Sequence, residues 1–263
     1  MQIITGFHAI EEMLRSCGKG SAAEKQADGA GKSRFPFRIL YTKQGPRVKK
    51  ILAQAQKLSV PAVQCSEAEL DALTKPLPEY VREHRGVVLV DDRPQEKDVK
   101  QSSDALFADL AARETAFVLV LDSITDPHNI GAIIRSADQF AADAVVLPER
   151  KSAGDFQTIT KISAGAAAWV PLLYTANLVR TVEAFKKQGF WVFGADAQGE
   201  PLPDTAFPDK TVLIMGNEGA GIGRLLKNSC DSFTAIPTYG KLDSLNVSVA
   251  AGILMYEISK RRH

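Results

Sequence analysis

Hydrophobic residues recur along this chain in two patterns, as short continuous runs and as stretches with a helical period. Runs such as Phe117–Leu121 and Gly86–Val90 have the length and the β-branched content of buried strands. Stretches such as Gly6–Ser16, with apolar residues three and four positions apart, predict amphipathic helices. Because strands and helices alternate along the chain, the pattern predicts an α/β fold.

The same pattern divides the chain into two predicted domains. Residues 1–91 predict a small α/β domain, and residues 104–263 predict a larger one. Between them, residues 92–103 are charged and almost without large apolar side chains, which predicts a linker. Asp104 is expected to cap the helix that follows. Residues 18–31 are rich in Gly, Ala, Ser and Lys without a helical period, and they predict a flexible insertion.

The remaining elements follow from the same two periods. The first domain is predicted to contain further strands at 37–41 and 60–64 and helices at 47–58 and 67–73. The second is predicted to contain further strands at 144–147, 190–195, 211–215 and 233–236, and helices at 105–113, 129–140, 156–164, 178–188, 221–228 and 245–261. The continuous apolar strands of the second domain favour a parallel sheet.

Charge is balanced over the whole chain but unevenly distributed. The 32 Lys and Arg residues against 31 Asp and Glu do not by themselves suggest a nucleic-acid partner. From Arg15 to Lys57, however, eleven basic residues stand against two acidic ones, Glu24 and Asp28. Such a basic block fits a surface that faces RNA or DNA, and solvated surface lysines are the alternative.

The spacing of the cysteines and histidines indicates the cellular compartment and whether the chain binds a metal. The three cysteines are far apart and form no CxxC pair, which predicts reduced thiols in a cytoplasmic protein: they are Cys17, Cys65 and Cys230. His8, His84 and His128 share no ligand spacing with cysteines or acids, so we expect no metal. The N-terminal segment carries acids inside its apolar pattern, unlike a signal peptide. No run approaches the roughly 20 apolar residues that cross a membrane, so no membrane partner is expected.

Three polar loops follow three predicted strands and carry the candidate chemistry. The first is Thr125–Asp138, with the sequence TDPHNIGAIIRSAD. Asn129 is placed to cap the helix in this segment, and Arg135 lies off the apolar stripe of that helix. A plain helix cap and a surface cation are the respective alternatives to functional roles for these two residues.

The other two loops are predicted to form two walls of one cofactor pocket. Met215–Gly223 (MGNEGAGIG) is neither a P-loop nor a GxGxxG motif, yet its glycines allow a close approach of the backbone. Glu218 in it is placed to orient a substrate or to hold the opposite loop, unless it is merely an exposed acid. In the third loop, Ser244 and Asn246 are candidates either for the site or for the cap of the last helix. Loops at the carboxyl ends of strands form the ligand site in open α/β sheets.

The three loops together resemble the motifs of the SPOUT-class RNA ribose 2′-O-methyltransferases, in the SpoU/TrmH branch. The matching pieces are DPHNIGAIIRSAD, MGNEGAGI, and IP followed by SLNVSVAAG, in that order. The resemblance covers roughly residues 116–263. The N-terminal part, with GFHAIEEMLR and HRGVVL, is similar to the ribosomal-protein-like RNA-binding domain that many of these enzymes carry, although residues 18–31 depart from it.

The resemblance implies a fold, a cofactor and an assembly. The C-terminal domain is expected to contain a parallel sheet with a deep trefoil knot, an exception to the rule that chains are unknotted. The protein is expected to be a homodimer whose active sites lie where the subunits meet. S-adenosyl-L-methionine is the implied cofactor. Its implied contacts are Gly216, Ile236 and Leu245, with Met215, Asn217 and Asn246 beside them.

The resemblance also implies which residues take part in the reaction. Arg135 is the key catalytic residue, and Asn129, Glu218, Ser244 and Asn246 hold the substrate and the reacting loops. A guanidinium is effectively always protonated in proteins, so a literal role as a base is unattractive. We expect Arg135 instead to bind the phosphate next to the target ribose and to favour ionisation of the 2′-hydroxyl.

The implied substrate is structured RNA, foremost a guanosine of large-subunit rRNA, with a guanosine of the tRNA D-loop as the second choice. A non-catalytic RNA-binding or ribosome-assembly protein on the same fold is an alternative, which the presence of all five site residues disfavours. A nucleotide-dependent oxidoreductase is a further alternative. The lack of GxGxxG and of a matching ribose-binding acid counts against it.

Overall fold

The structure is a computed structural model that describes residues 2–19, 37–91, 95–149, 159, 163, 165–241 and 244–262. It divides into two compact units. The first comprises Met1–Val99 and Gly154–Trp169, and the second comprises Lys100–Ala153 and Val170–His263. Within the first unit, the indole Nε1 of Trp169 donates to Glu12 Oε2 over 2.8 Å. The described residues 159, 163 and 165–169, which we expected in the second domain, therefore belong to the first unit.

The first unit contains a four-stranded sheet with helices on both faces. Its elements are β1 (Gln2–Thr5), α1 (Phe7–Lys19), β2 (Phe37–Tyr41), α2 (Pro46–Lys57), β3 (Ala62–Gln64), α3 (Glu67–Thr74), α4 (Glu79–Arg82) and β4 (Val87–Asp91). The strand order is β1-β4-β2-β3, in which only β2 and β3 pair in parallel. Side chains of β4 alternate between two buried clusters: Val87 and Leu89 pack with α1 and α2, and Val88 and Val90 pack with α3 and α4.

The second unit contains a six-stranded, entirely parallel sheet. Its elements are α5 (Gln95–Ala112) from Lys100 onward, β5 (Ala116–Leu121), α6 (Pro127–Gln139), β6 (Ala144–Pro148), β7 (Leu172–Thr175), α7 (Leu178–Lys187), β8 (Trp191–Pro201), β9 (Lys210–Met215), α8 (Arg224–Lys227), β10 (Ser232–Ala235) and α9 (Val247–Arg262). The strand order is β10-β8-β9-β5-β6-β7. The expected α/β fold with a parallel sheet is confirmed.

The central strands explain why the apolar runs are continuous. Every residue of β5 is buried, and so is nearly all of β9 beside it. A strand covered on both faces needs apolar side chains at every position, whereas a half-exposed strand alternates. The loops that leave β5, β9 and β10 consequently emerge at the same edge of the sheet.

Several elements differ from the sequence-based expectation. The segment predicted as a linker is helical from Gln95, so Asp104 lies inside α5 and does not cap it. Its Gln, Glu and Lys residues are good helix formers even without an apolar stripe. Helix α6 begins at Pro127 because Asp126 caps it, accepting from the amide of His128 over 2.8 Å. Strands β1 and β7 and the short helix α4 were not predicted, because four residues are too few to establish a period.

Other predicted features cannot be compared with the structure. The insertion from residue 20 onward and nearly all of the helix predicted at 156–164 lie outside the described residues. Among the helices that the structure describes, none is long and apolar enough to cross a membrane.

Candidate active site

A cavity of about 350 Å³ lies at the edge of the parallel sheet where β9 and β10 end. This volume falls within the range of roughly 300–1,000 Å³ that is usual for small-molecule sites. Its walls come from β8, from the loop after β9, and from the segment that leads from β10 into α9. Five of the six residues predicted to bind a cofactor line it: Met215, Gly216, Asn217, Ile236 and Leu245. Ser244 lines it as well.

The loop after β9 folds tightly back on itself. Asn217 and Gly221 exchange two backbone hydrogen bonds, of 3.0 and 2.9 Å. A Cβ atom at Gly216 would lie 2.2 Å from the carbonyl carbon of Gly221, so no other residue fits there without moving the loop. Gly221 itself has a φ of 66°, in the left-handed region that favours glycine. Gly216 and Gly221 are thus required by the closed loop that forms one wall of the cavity.

Asp122, directly after β5, joins this loop to the first one. Its Oδ2 accepts a hydrogen bond of 2.7 Å from the amide of Gly223. The side-chain amide of Asn217 donates to the carbonyl of Ser123 over 3.0 Å. Ser123 has a φ of 56°, which is uncommon for a residue with a side chain. Sequence reasoning missed Asp122, although an acid immediately after a fully buried strand could have identified it.

Glu218 brings all three loops together. Its Oε1 accepts from the side-chain amide of Asn129 over 3.2 Å, from that of Asn246 over 2.8 Å, and from the backbone amide of Val247 over 3.2 Å. The amide of Asn246 also donates to Asn129 Oδ1 over 3.0 Å. A carboxylate is an acceptor that can serve several donors at once, and its charge strengthens each of these bonds. Glu218 is therefore not simply an exposed acid in a turn.

The alternatives for the two asparagines are resolved differently. Asn129 is not the cap of α6, since Asp126 fills that position and leaves the amide of Asn129 to bond Glu218. Asn246 does cap α9, because its Oδ1 accepts from the amide of Ser248 over 3.0 Å. Its Nδ2 meanwhile reaches Glu218. Asn246 thus combines the two roles that the sequence left open.

Arg135 stands apart from this hydrogen-bonded group. It lies on α6 six residues after Asn129 and is exposed. Within the described part of the chain, its guanidinium makes no hydrogen bond or ion pair, and it does not line the cavity. A guanidinium without a protein partner is open to a phosphate, which its planar fork binds with two hydrogen bonds.

Neither a cluster of metal-ligand side chains nor a cysteine lines the cavity among the described residues. The residues that the structure describes include no group of three or more His, Cys, Asp or Glu side chains that could hold a metal ion. Burial raises the pKa of the Cys230 thiol to about 11, and the charge of Asp231 adds to the effect. At neutral pH this thiol is therefore protonated and a poor nucleophile.

A parallel α/β sheet with closed glycine-rich loops around a cavity at its carboxyl edge defines an enzyme that binds a nucleotide-like cofactor there. A family model described as the SpoU rRNA Methylase family matches residues 116–256. The chain belongs to this family. The resemblance seen in the sequence is confirmed, and so is the expectation of a methyltransferase that acts on RNA. The oxidoreductase alternative is thereby excluded.

Two curated relatives cover nearly the whole chain. The 23S rRNA (guanosine-2′-O-)-methyltransferase RlmB of Neisseria meningitidis serogroup B is 35% identical over 261 residues, which are 98% of this chain and 95% of the relative. A protein of Borreliella burgdorferi named as an uncharacterized tRNA/rRNA methyltransferase is 36% identical over 227 residues, which are 85% of this chain and 97% of the relative. The similarity thus extends through both units.

A solved structure shows the same fold. The SpoU methyltransferase AviRb from Streptomyces viridochromogenes, in complex with the cofactor AdoMet, matches with a TM-score of 0.72 at 24% identity. The match covers 99% of this chain and 89% of AviRb. At this identity the likeness concerns the fold alone.

Replacing Glu218 tests whether its carboxylate holds the loops in place. In Glu218→Ala three donors lose their common acceptor, so we expect the amide of Val247 and the first turn of α9 to exchange hydrogen faster. Glu218→Gln, which retains one oxygen acceptor, should give a smaller increase. Hydrogen exchange followed by mass spectrometry measures both. Glu257→Ala, on the same helix, is the matched control; equal protection in Glu218→Ala and the wild type would contradict the assignment.

Proposed function

We propose that this protein transfers the methyl group of S-adenosyl-L-methionine to the ribose 2′-hydroxyl of a guanosine in large-subunit rRNA. The observation that carries the proposal is the bonding of Asn129 and Asn246 to Glu218 beside a cavity of cofactor size. Its specificity for rRNA is supported by the relative named as a 23S rRNA methyltransferase, which is similar over 98% of the chain. A tRNA D-loop guanosine is the alternative that the experiment below separates.

The cofactor is held mainly by backbone groups at Gly216, Ile236 and Leu245. Met215 and Asn217 lie beside them in the cavity wall. Two properties of the cavity fit an adenosine: its volume, and a closed loop whose glycines leave backbone atoms uncovered. When bound, S-adenosylmethionine supplies an activated methyl group on a sulfonium. What remains for the protein is to orient the acceptor hydroxyl and to assist its loss of a proton.

Arg135 carries out the second of these tasks. Its guanidinium binds the phosphate next to the target ribose. Its positive charge stabilises the negative charge that develops on the 2′-oxygen as the proton leaves. A phosphate oxygen or a water accepts that proton, because a guanidinium stays protonated and cannot. Asn129, Ser244 and Asn246, with Glu218 behind them, position the ribose and the loops. The 2′-hydroxyl exists only in RNA, so DNA is not a substrate.

The catalytic role of Arg135 is tested by methyl transfer to unmodified rRNA and tRNA, assayed separately with labelled S-adenosylmethionine. Label should enter rRNA, and Arg135→Ala should lower the rate by about 100-fold or more if precise positioning is lost. Arg135→Lys should remain impaired, since an ammonium cannot bind phosphate with a fork of two donors. Cofactor affinity should not change.

Arg180→Ala, which removes an exposed arginine on α7, is the control and should keep full activity. Near-full activity of Arg135→Lys would contradict bidentate phosphate binding, and unimpaired Arg135→Ala would contradict any catalytic role. Preferential labelling of tRNA would replace the rRNA assignment by the tRNA alternative.

The small domain at residues 1–91 provides further contacts to the RNA backbone. Arg47, Lys49 and Lys50 lie exposed on α2. Lys50 Nζ lies 3.4 Å from Glu11 Oε1, and the guanidinium of Arg47 lies over the ring of Phe7. The side chain of Lys49 has no such partner within the described residues. Exposed cations on one helix suit phosphate groups, whose binding is independent of sequence.

Removing one such cation should alter the salt dependence of RNA binding. For Lys49→Ala we expect weaker binding and a plot of log affinity against log salt that is shallower by about 1. Titration of a labelled rRNA fragment at several salt concentrations measures this. Lys187→Ala, an exposed lysine of the second unit, is the control. An unchanged slope for Lys49→Ala would remove Lys49 from the RNA-binding surface.

The protein is a homodimer in this proposal, and α9 forms its interface. One face of α9 is buried within its own unit, through residues such as Leu254 and Met255. The other face is also apolar, with Val249, Ile253 and Tyr256 exposed at 49%, 37% and 55%. From Val247 to Tyr256, α9 is thus largely apolar on both faces. An apolar helix face is normally covered, which a second copy would achieve.

The same proposal includes the trefoil knot and a cytoplasmic location. The knot is supported by family membership and by the segment after β10, which shares the cavity with the loop after β9 before it enters α9. The location is supported by the unpaired spacing of the cysteines and by the RNA substrate.

The dimer is tested by placing a charge on the exposed face of α9. Ile253→Asp would bury a carboxylate in the interface, so we expect the sedimentation coefficient to fall from that of a dimer to that of a monomer. Leu225→Asp introduces the same charge at a position that is 67% exposed on α8 and should leave the dimer intact. A wild-type protein that sediments as a monomer, or an Ile253→Asp dimer, would contradict the proposal.

A further inference from the structure

Asp196 is a carboxylate in the wall of the cofactor cavity that the reaction described above does not use. It lies on β8 between Ala195 and Ala197, and all three residues line the cavity. Its side chain is 24% exposed. The only other acid that lines the cavity among the described residues is Glu218, whose Oε1 is taken up by three loop donors.

The carboxylate of Asp196 is held in a fixed orientation. Lys227 Nζ donates to Oδ2 over 2.6 Å, and the backbone amide of Gln198 donates to Oδ1 over 3.0 Å. The bond from Lys227 holds the pKa of Asp196 below its usual value, so the group is ionised. A carboxylate has about four lone-pair positions, which leaves each oxygen able to accept another hydrogen bond.

Fold stability alone gives little reason for this arrangement. The side chain of Lys227 is 46% exposed, and ion pairs of this kind contribute about 0–1 kcal/mol. Lys227 also lies over the ring of Phe233, so it has a packing position without Asp196. The two bonds instead fix an ionised carboxylate in the cavity wall on the β8 side, where its neighbours Ala195 and Ala197 have apolar side chains.

Paired acceptor oxygens match a pair of neighbouring hydroxyl donors. In α/β folds that bind dinucleotides, an acid accepts a hydrogen bond from the ribose 2′-hydroxyl of the ligand. Asp196 lies in β8 two residues beyond Gly194, where the pairing of β8 with β9 ends. The glycine-rich and apolar walls around Gly216, Ile236 and Leu245 suit a base, which leaves the polar wall at β8 for the sugar.

We infer that Asp196 binds the ribose of the cofactor, accepting hydrogen bonds from its 2′- and 3′-hydroxyls, while Lys227 positions the carboxylate. This inference rests on the proposed function, because it takes S-adenosylmethionine as the occupant of the cavity. It assigns to Asp196 the role that an acid elsewhere in the chain performs in dinucleotide-binding folds.

The inference is tested by calorimetric titration with two ligands, S-adenosylhomocysteine and its analogue without ribose hydroxyls. Asp196→Asn should bind S-adenosylhomocysteine about 10- to 100-fold more weakly than the wild type, as expected for loss of hydrogen bonds to a charged acceptor. The analogue should bind wild type and variant equally. Asp209→Asn, an exposed acid outside the cavity, is the matched control and should behave as the wild type.

Each outcome has a distinct meaning. Equal affinity of Asp196→Asn and wild type for S-adenosylhomocysteine would overturn the inference and leave the proposed function standing. The same fold-loss for both ligands would also overturn it, because Asp196 would then act on another part of the molecule or on the fold. Thermal unfolding with and without ligand identifies a variant that has lost its fold, and Lys227→Met should then reproduce the ligand dependence. A wild-type protein that binds neither ligand would overturn the proposed cofactor, and the inference with it.

Discussion

The carboxylate of Glu218 is the interaction on which the geometry of the site depends. It joins segments that are far apart in the chain, since 89 residues separate it from Asn129 and 28 from Asn246. None of these loops has an extensive core of its own, so their mutual position is set by hydrogen bonds. Three donors bond to the one carboxylate of Glu218, and its charge strengthens each of these hydrogen bonds. The negative charge also stabilises the start of α9, because it complements the helix dipole there.

The parallel sheet makes this arrangement possible. Strands β5 and β9 are adjacent and parallel, so the loops that follow them emerge side by side. Asp122 then anchors the loop after β9, because its carboxylate accepts a hydrogen bond from the amide of Gly223. Arg135 is carried on α6, which starts from the same loop region and packs against α9. A buried, rigid sheet thus positions a set of polar groups that could not hold their geometry alone.

Much of the fold could be predicted from the periodicity of hydrophobic residues, and the site could be predicted from the motifs in its loops. Continuous apolar runs predicted β5 and β9 because burial on both faces permits only apolar residues. The cavity-lining residues Gly216 and Leu245 came from the resemblance, since nothing in their local pattern indicates a ligand. The start of α6 was misjudged because Asn129 was expected to cap the helix, whereas the structure shows that Asp126, three residues earlier, caps it.

Other features could not be predicted because they depend on tertiary contacts. The role of Glu218 depends on partners in two other loops, which no local pattern identifies. The same holds for Asp196, a polar residue in the middle of β8 and two residues beyond its pairing with β9, whose carboxylate is oriented by Lys227. Residues 95–103 show a different kind of error. Their composition is typical of a linker, but they are helical because their helix propensity outweighed it.

The central claim is that the acceptor atom is a ribose oxygen of rRNA. It is tested most directly by incubating the protein with unmodified large-subunit rRNA and S-adenosylmethionine, digesting the RNA to nucleosides, and identifying the methylated product by mass spectrometry. The account predicts 2′-O-methylguanosine as the product. A methyl group on a base, or no methylated nucleoside from an rRNA that the protein binds together with its cofactor, would contradict it.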